Sequence, residues 1–381
     1  MAEDLDPSTV SAEFINEGGD WLAIFNPSVP RQMDVQLARR FLHEGVVCSV
    51  KFSSDNTLLA VGSENLVILY NLALGEKITF PLDNTNTDGS TETPKVIHAR
   101  SVAISPDGQL LAAGSEDKLI RFWSIPQRRW LSTLQGHNGE VYAVTFSPDG
   151  HLLVSASGDC FVRVWDVSSL TKITDESGNV PDATEVSCRI LRPVAPGSKL
   201  SSKLAVISVA IDKTGQYVAS GSLDGVIRIW DIQRDVADPS SGTEPLETLR
   251  GHDDGVYGVQ FADGTGYGAP VGLISASLDR TLKRWEIRSM GENAGTCTKS
   301  FQGHKDCVLA ASVIQIGREQ RLASSSRDGT VRVWDLKSGV VQFIIQGHKN
   351  TVTTVDFTQD GKLLASGSGD REVRIWRYSI L

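Results

Sequence analysis

Hydrophobic and polar positions alternate in short bursts along this chain, and the bursts are too brief and too closely spaced for helices. Val141–Phe146 is one burst, Leu152–Ser157 the next, and Phe161–Val167 a third. Ser147-Pro148-Asp149-Gly150 separates the first two, and Gly158-Asp159 separates the second and third. Proline presets φ and glycine permits φ > 0, so these separators are tight turns. Apolar runs of four to seven residues rich in Val, Ile, Leu and Ser, with turns between them, predict antiparallel strands. No long stretch carries a 3.6-residue apolar period, so the expected class is all-β.

The strand pattern repeats. The text Asp-x-x-aliphatic-basic-x-Trp runs from Asp117 to Trp123, Asp159 to Trp165, Asp224 to Trp230, Asp279 to Trp285, Asp328 to Trp334 and Asp370 to Trp376, and a degraded copy ends at Tyr70-Asn71. Gly-His precedes four copies, at Gly136-His137, Gly251-His252, Gly303-His304 and Gly347-His348. A period of about 40–45 residues with Gly-His and Trp-Asp landmarks is the signature of a WD-repeat β-propeller. Seven copies in 381 residues predict one seven-bladed ring rather than two or three domains. Spacings between the aromatic landmarks range from 42 to 65 residues, so the longer ones carry loops. Asn84–Pro94, Thr174–Pro196, Asp235–Pro245, Gly264–Pro270 and Ser289–Gly295 are the expected insertions.

The last copy ends at Trp376-Arg377-Tyr378 with three residues to follow, so it lacks a fourth strand of its own. Residues 34–42 have the length and place to supply it, which makes 34–381 the propeller. An open sheet edge would otherwise remain. Residues 1–33 form a short N-terminal extension, and Trp21-Leu22-Ala23-Ile24-Phe25 is apolar enough that the extension is expected to pack on the ring.

The net charge of −9 lacks the basic footprint of a direct DNA or RNA binder. No apolar run reaches the length of a membrane span, and the acidic start Met1–Asp6 is no signal peptide. Five scattered cysteines without a C-x-x-C suit reduced thiols in an intracellular protein.

Each complete repeat offers Ser, His and Asp, the ingredients of a hydrolase triad; His137, Ser155 or Ser157, Asp159 and Trp165 make one set. Four near-identical sets without a nucleophile elbow read instead as a buried hydrogen-bond network that fixes each blade. Hydrogen bonds to a charged group contribute about 1.5–3 kcal/mol each. The glycine-rich stretch from Gly264 leads into a strand rather than a helix, so it is no phosphate cradle. No metal-ligand spacing appears; no cofactor, metal or catalytic residue is expected.

What remains is surface. In a propeller, the strand-entrance residue and the residue before the turn Asp border one mouth of the channel. The strand entrances are Arg100, Tyr142, Ile207, Tyr257, Leu309 and Thr353; beside the turn sit Glu116, Gly158, Leu223, Leu278, Arg327 and Gly369. An apolar rim with charged neighbours suits protein recognition.

Less generic stretches narrow the family. Asp20–Pro27, Val29–Val35 and His43–Ser53, with Arg100–Gly108, Glu116–Arg121 and Gly303–Leu309, resemble fungal Tup-type (Tup/Groucho class) WD-repeat transcriptional corepressors. The resemblance covers residues from about 14 to the end. It implies a non-enzymatic nuclear scaffold that leaves DNA contact to sequence-specific repressors, which recruit it through the channel rim. It also implies a tetratricopeptide-repeat adaptor, and histones and the transcription machinery, as partners, with the propeller by itself a monomer. Family rim positions fall on His98, Ser101, Glu116, Leu223, Tyr257 and Asn350, of which Ser101 reads more as a packing position; Arg100, Tyr142, Leu309 and Arg327 join them from the rim pattern. The family's oligomerising helix and Gln/Pro-rich linker have no counterpart in residues 1–33. The alternative is another WD-repeat adaptor, such as a ubiquitin-ligase substrate receptor or a signalling β-subunit; a hydrolase is the third reading.

Overall fold

The computed structural model describes residues 5–31, 33–83, 96–171, 186–194, 200–233, 243–262, 271–288, 290–292, 294–317 and 319–380. The expected loops at Asn84–Pro94 and Gly264–Pro270 lie outside them.

Seven antiparallel sheets form the ring. Blade one comprises Ser49–Phe52, Leu58–Gly62, Leu66–Asn71 and Lys77–Pro81, and blade two Ala99–Ile104, Leu110–Ser115, Ile120–Ser124 and Arg129–Leu134. Blade three is Val141–Phe146, Leu152–Ser157, Val162–Asp166 and Cys188–Leu191. Blades four, five, six and seven begin at Val206–Ile211, Val256–Ala262, Val308–Ile316 and Val352–Phe357. The Trp or Tyr landmark lies in the third strand of every blade and is at most 5% exposed. Each fills the seam toward a neighbouring sheet: Trp165, for instance, packs with Ala112, Phe122 and Leu131 of blade two. After the turn Asp the chain adopts left-handed φ in six blades, at Lys118, Cys160, Gly225, Arg280, Gly329 and Arg371 (70° to 79°). Two of these six are glycine, the residue that accepts this geometry without steric cost.

Blade seven is closed from the other end of the chain. Met33–Leu42 pairs antiparallel with Glu372–Ile380, from Met33 opposite Ile380 to Leu42 opposite Glu372. The extension does more than lie on the ring. Trp21–Phe25 adds a fifth strand to blade six beside Val341–Gln346, and Ile15–Gly18 adds a sixth. Asp20 then accepts from Arg374 at 2.7 Å and from Arg40 at 3.1 Å, and Trp21 meets Trp376 edge-on at 5.5 Å. Arg374 is fully buried, so Asp20 and Glu372 supply the counter-charges its burial requires. Leu5 is also buried, in the apolar cluster that includes Ile24 and Ile344 of blade six.

Two expectations about loops need correction. Cys188–Leu191 lies within the stretch read as a linker yet is the outer strand of blade three. Thr243, read as loop, bridges to Leu191. Both are outer-edge pieces whose short polar-apolar text carries no alternation. No helix of the described residues is long and apolar enough to cross a membrane.

The inner strands line a central channel, stitched between blades by side chains that accept backbone amides. Ser101 accepts from Val144 at 3.1 Å, Gln260 from Val313 at 2.8 Å, Ser312 from Phe357 at 3.2 Å and Asp356 from Phe52 at 2.9 Å. Ser101 is thereby committed to the seam between blades two and three. Toward the end opposite the Gly-His loops the channel widens to about 580 Å³, with Lys51 paired to Asp356 at 2.9 Å.

Candidate functional site

The Ser–His–Asp sets are four copies of one buried relay. In blade six Trp334 Nε1 donates to Ser324 Oγ at 2.9 Å, Ser324 Oγ contacts His304 Nε2 at 2.8 Å, and His304 Nδ1 contacts Asp328 at 2.8 Å. Blades three, five and seven repeat it through Trp165, Ser155, His137 and Asp159, through Trp285, Ser275, His252 and Asp279, and through Trp376, Ser366, His348 and Asp370. The serine is therefore Ser155, not Ser157, whose hydroxyl donates to Gly139 O at 3.0 Å. With the aspartate accepting from Nδ1–H, Nε2 accepts from the serine and the imidazole is neutral. Burial lowers the proton affinity of His137 and His304 in the same direction. Burial pushes the Asp328 carboxyl up, but hydrogen bonds from His304, Thr330 and the Lys305 amide hold it well below the usual carboxylate range. All four serines are 0% exposed, and tryptophan occupies the lone pair a nucleophile would use.

One group of three ligand-type side chains lies together among the described residues: His348, Asp370 and Glu372. His348 is committed to Asp370 and Ser366, and Glu372 accepts from Arg374 at 3.0 Å and from Arg40. Guanidinium groups hold the place a cation would take.

The channel mouth on the Gly-His side has a different character. His98 Nδ1 meets Glu116 at 2.9 Å and Nε2 lies 3.4 Å from Glu64; Arg100 also pairs with Glu116 and lies 3.8 Å from Glu140. Burial pushes the Glu116 carboxyl up, but His98 and Arg100 outweigh it and leave the group below its ordinary value. Burial pushes the Cys48 thiol up to about 11, beside Arg100, Glu116 and Glu64. Burial raises the phenols of Tyr142 and Tyr257 too, and both feel the charge of Arg100. Groups from blades one, two, three and five thus converge around one guanidinium.

Not every expected rim residue joins that group. Leu223 and Leu309 are half-buried, in blades four and six. Arg327 is exposed, 3.8 Å from Asp306. Asn350 is exposed, accepts from the Thr351 amide at 2.7 Å and faces Gly369. Thr353, at another strand entrance, is spent on the closing seam, donating to Val47 O at 2.7 Å.

Glu64, Glu140 and Cys48 were missed. Glu64 and Cys48 occupy in blade one the two positions that define the rim elsewhere, but without its turn Asp that repeat was left out of the rim pattern.

The family model "WD domain, G-beta repeat" matches seven times, at residues 36–71, 91–124, 128–166, 196–231, 243–286, 295–335 and 339–377. The chain belongs to the WD-repeat family. This WD-repeat protein is 32% identical to "General transcriptional corepressor TUP1" of Saccharomyces cerevisiae over 98% of the chain and 57% of that protein. It is 37% identical to "Transcriptional repressor rco-1" of Neurospora crassa over 99% of the chain and 57% of that protein. "General transcriptional corepressor tupA" of Dictyostelium discoideum is 34% identical over 33% of the chain and 21% of that protein. The chain thus spans little more than half the length of the first two relatives, and the Tup-type resemblance extends over nearly all of it.

Proposed function

We propose that this WD-repeat protein is a non-enzymatic docking module of transcriptional corepression in the nucleus. Likeness to two named repressors over 98% and 99% of the chain carries the reading. Residues 34–381 are the docking unit and 1–33 its extension. DNA-binding repressors dock at the channel mouth, using Leu223, Tyr257 and Leu309 as apolar anchors and His98, Arg100, Glu116, Tyr142, Arg327 and Asn350 as the polar border. A tetratricopeptide-repeat adaptor, histones and the transcription machinery are the further partners. The chain does not itself hold duplex DNA, since a charge of −9 opposes the phosphate contacts that supply non-specific affinity. The four relay serines are fully buried and hydrogen-bonded, which supports a role without turnover.

The test is capture of DNA-binding proteins from nuclear extract, followed by affinity measurement on the purified pairs. Truncating an interface anchor costs about 2 kcal/mol, roughly thirtyfold in affinity. Tyr257→Ala and Leu223→Ala should each weaken repressor binding by about that factor while the melting temperature holds. Rim variants that bind like the parent would move docking to the side or the opposite mouth.

A further inference from the structure

Blade four breaks the rim. Where blades three, five, six and seven enter through a Gly-His loop, this one enters through the short 3-10 turn Ser202–Leu204. A cleft of about 480 Å³ opens there, lined by Ser202, Lys203, Leu223, Asp224, Asp253 and Asp254. Leu223 gives it an apolar surface, and Gly255 keeps that surface clear, since a methyl group at 255 would sit 3.2 Å from the Leu223 side chain. The charges divide unevenly. Asp224 is neutralised by Arg228 at 2.7 Å, whereas Asp253 and Asp254 are exposed, and Lys203 is the one basic side chain among the described residues that line the cleft. Asp254 uses one oxygen to accept the Gly255 amide at 2.7 Å. Leu223 also stands at a rim position, beside the turn Asp224, so the cleft opens next to the channel mouth.

We propose that this cleft receives a lysine or arginine of the docking peptide, its aliphatic stem on Leu223 and its charge at Asp253 and Asp254. A long basic side chain matches an apolar surface with an acidic border, because its stem is hydrocarbon and only its end is charged. The carboxylates turn nucleic acid away, leaving a protein segment as the occupant. This inference rests on the rim-docking reading and adds the chemistry of one contact.

The experiment pans a displayed random dodecapeptide library on the full chain and measures the enriched peptides against three variants. Asp253→Asn/Asp254→Asn removes both charges yet keeps an acceptor for the Gly255 amide, so the blade should melt as the parent does. Tyr257→Ala reports on the rim as a whole, and Arg100→Ala on its opposite side. Enriched peptides should carry Lys or Arg beside Leu, Ile or Val. Their affinity should fall as salt rises from about 0.05 to about 0.5 M, and should drop about tenfold on the double variant. Peptides that need Tyr257 or Arg100 but ignore the double variant, or that show no basic preference, overturn the cleft and leave the rim standing. A library that yields no binder dependent on any of the three overturns both.

Discussion

Blades three, five, six and seven contrast with blades one, two and four in how the turn on the Gly-His side is held. In the first group a histidine from the preceding loop reaches the turn Asp and, through serine, the tryptophan. In blades two and four an arginine of the third strand takes the Asp instead: Arg121 donates to Asp117 at 2.5 Å and Arg228 to Asp224 at 2.7 Å. Blade four keeps the relay serine, Ser220, but its buried hydroxyl has no hydrogen-bond partner among the described residues, and Trp230 Nε1 has turned to Thr243 O at 3.1 Å. In blade one Asn65 stands for the Asp and, with a left-handed φ of 60°, binds Ile97 through both its backbone and its side chain. His43 of blade one is left beside Tyr70, with neither ring nitrogen hydrogen-bonded. The relay commits a loop to holding the fold. In blade two, which lacks it, the loop histidine His98 pairs instead with Glu116 and Glu64 at the rim.

The comparison breaks most severely if closure fails. Deleting residues 1–42 removes the outer strand of blade seven and both added strands of blade six, and should abolish the cooperative melt seen for the parent; a melt within a few degrees of it would contradict the closure. Deleting only 1–12 removes the buried Leu5 and should cost about 1–2 kcal/mol.

Next in size is Trp334→Ala, which empties a site 2% exposed and leaves Ser324 without its donor. Denaturant titration should show a loss of about 3–5 kcal/mol.

Acid should act on His43 and on the relay aspartate Asp370 in different ranges. Burial, with the charge of Lys77, lowers His43 to about 4 from its ordinary 6.5. The unfolded chain therefore takes the proton first, and the stability tied to neutral His43 is complete above pH 6.5 and declines as pH falls toward 4. Asp370, held at about 2 by His348 and two amides despite its burial, contributes stability present above about pH 4 and lost as pH falls through 2. His43→Leu should flatten the first decline by roughly 3 kcal/mol and leave the second unchanged. An unaltered slope between pH 6.5 and 4 would show that His43 does not set it.

The finest test sets one serine against another. Ser324→Ala strands His304 Nε2 and Trp334 Nε1 and should cost about 2–3 kcal/mol. Ser220→Ala removes a hydroxyl with no hydrogen-bond partner among the described residues and should shift stability by less than about 0.5 kcal/mol. Equal losses would mean that burial, not the relay, sets the cost.

The ring, its seven blades and the four relays were legible because repeated text demands repeated geometry: Asp159, Asp279, Asp328 and Asp370 each stand six residues before a tryptophan. Outer strands were less legible. Cys188–Leu191 and the pairing of Trp21–Phe25 with blade six sit at sheet margins, and four or five residues are too few to display an alternation. On the rim, Glu64 was hidden by the loss of its neighbouring Asp. The acidic border of the blade-four cleft, Asp253-Asp254, reads as ordinary loop until Leu223 is seen beside it.

The pairing of residues 33–42 with 372–380 also sets a clock for the newly made protein. Leu42 meets Glu372, a residue 330 positions later. At synthesis rates of about 5–20 residues per second the first strand waits roughly 15–65 s on the ribosome before its partner exists. Through that interval Phe41 can stack on Tyr70 of blade one, as it does in the finished ring at 4.1 Å, but the strand's hydrogen bonds to the last blade have no taker. The ring thus closes only after residues 372–380 have been made, and a nascent chain stalled before residue 372 would present an unpaired edge to whatever chaperone or like edge it met first.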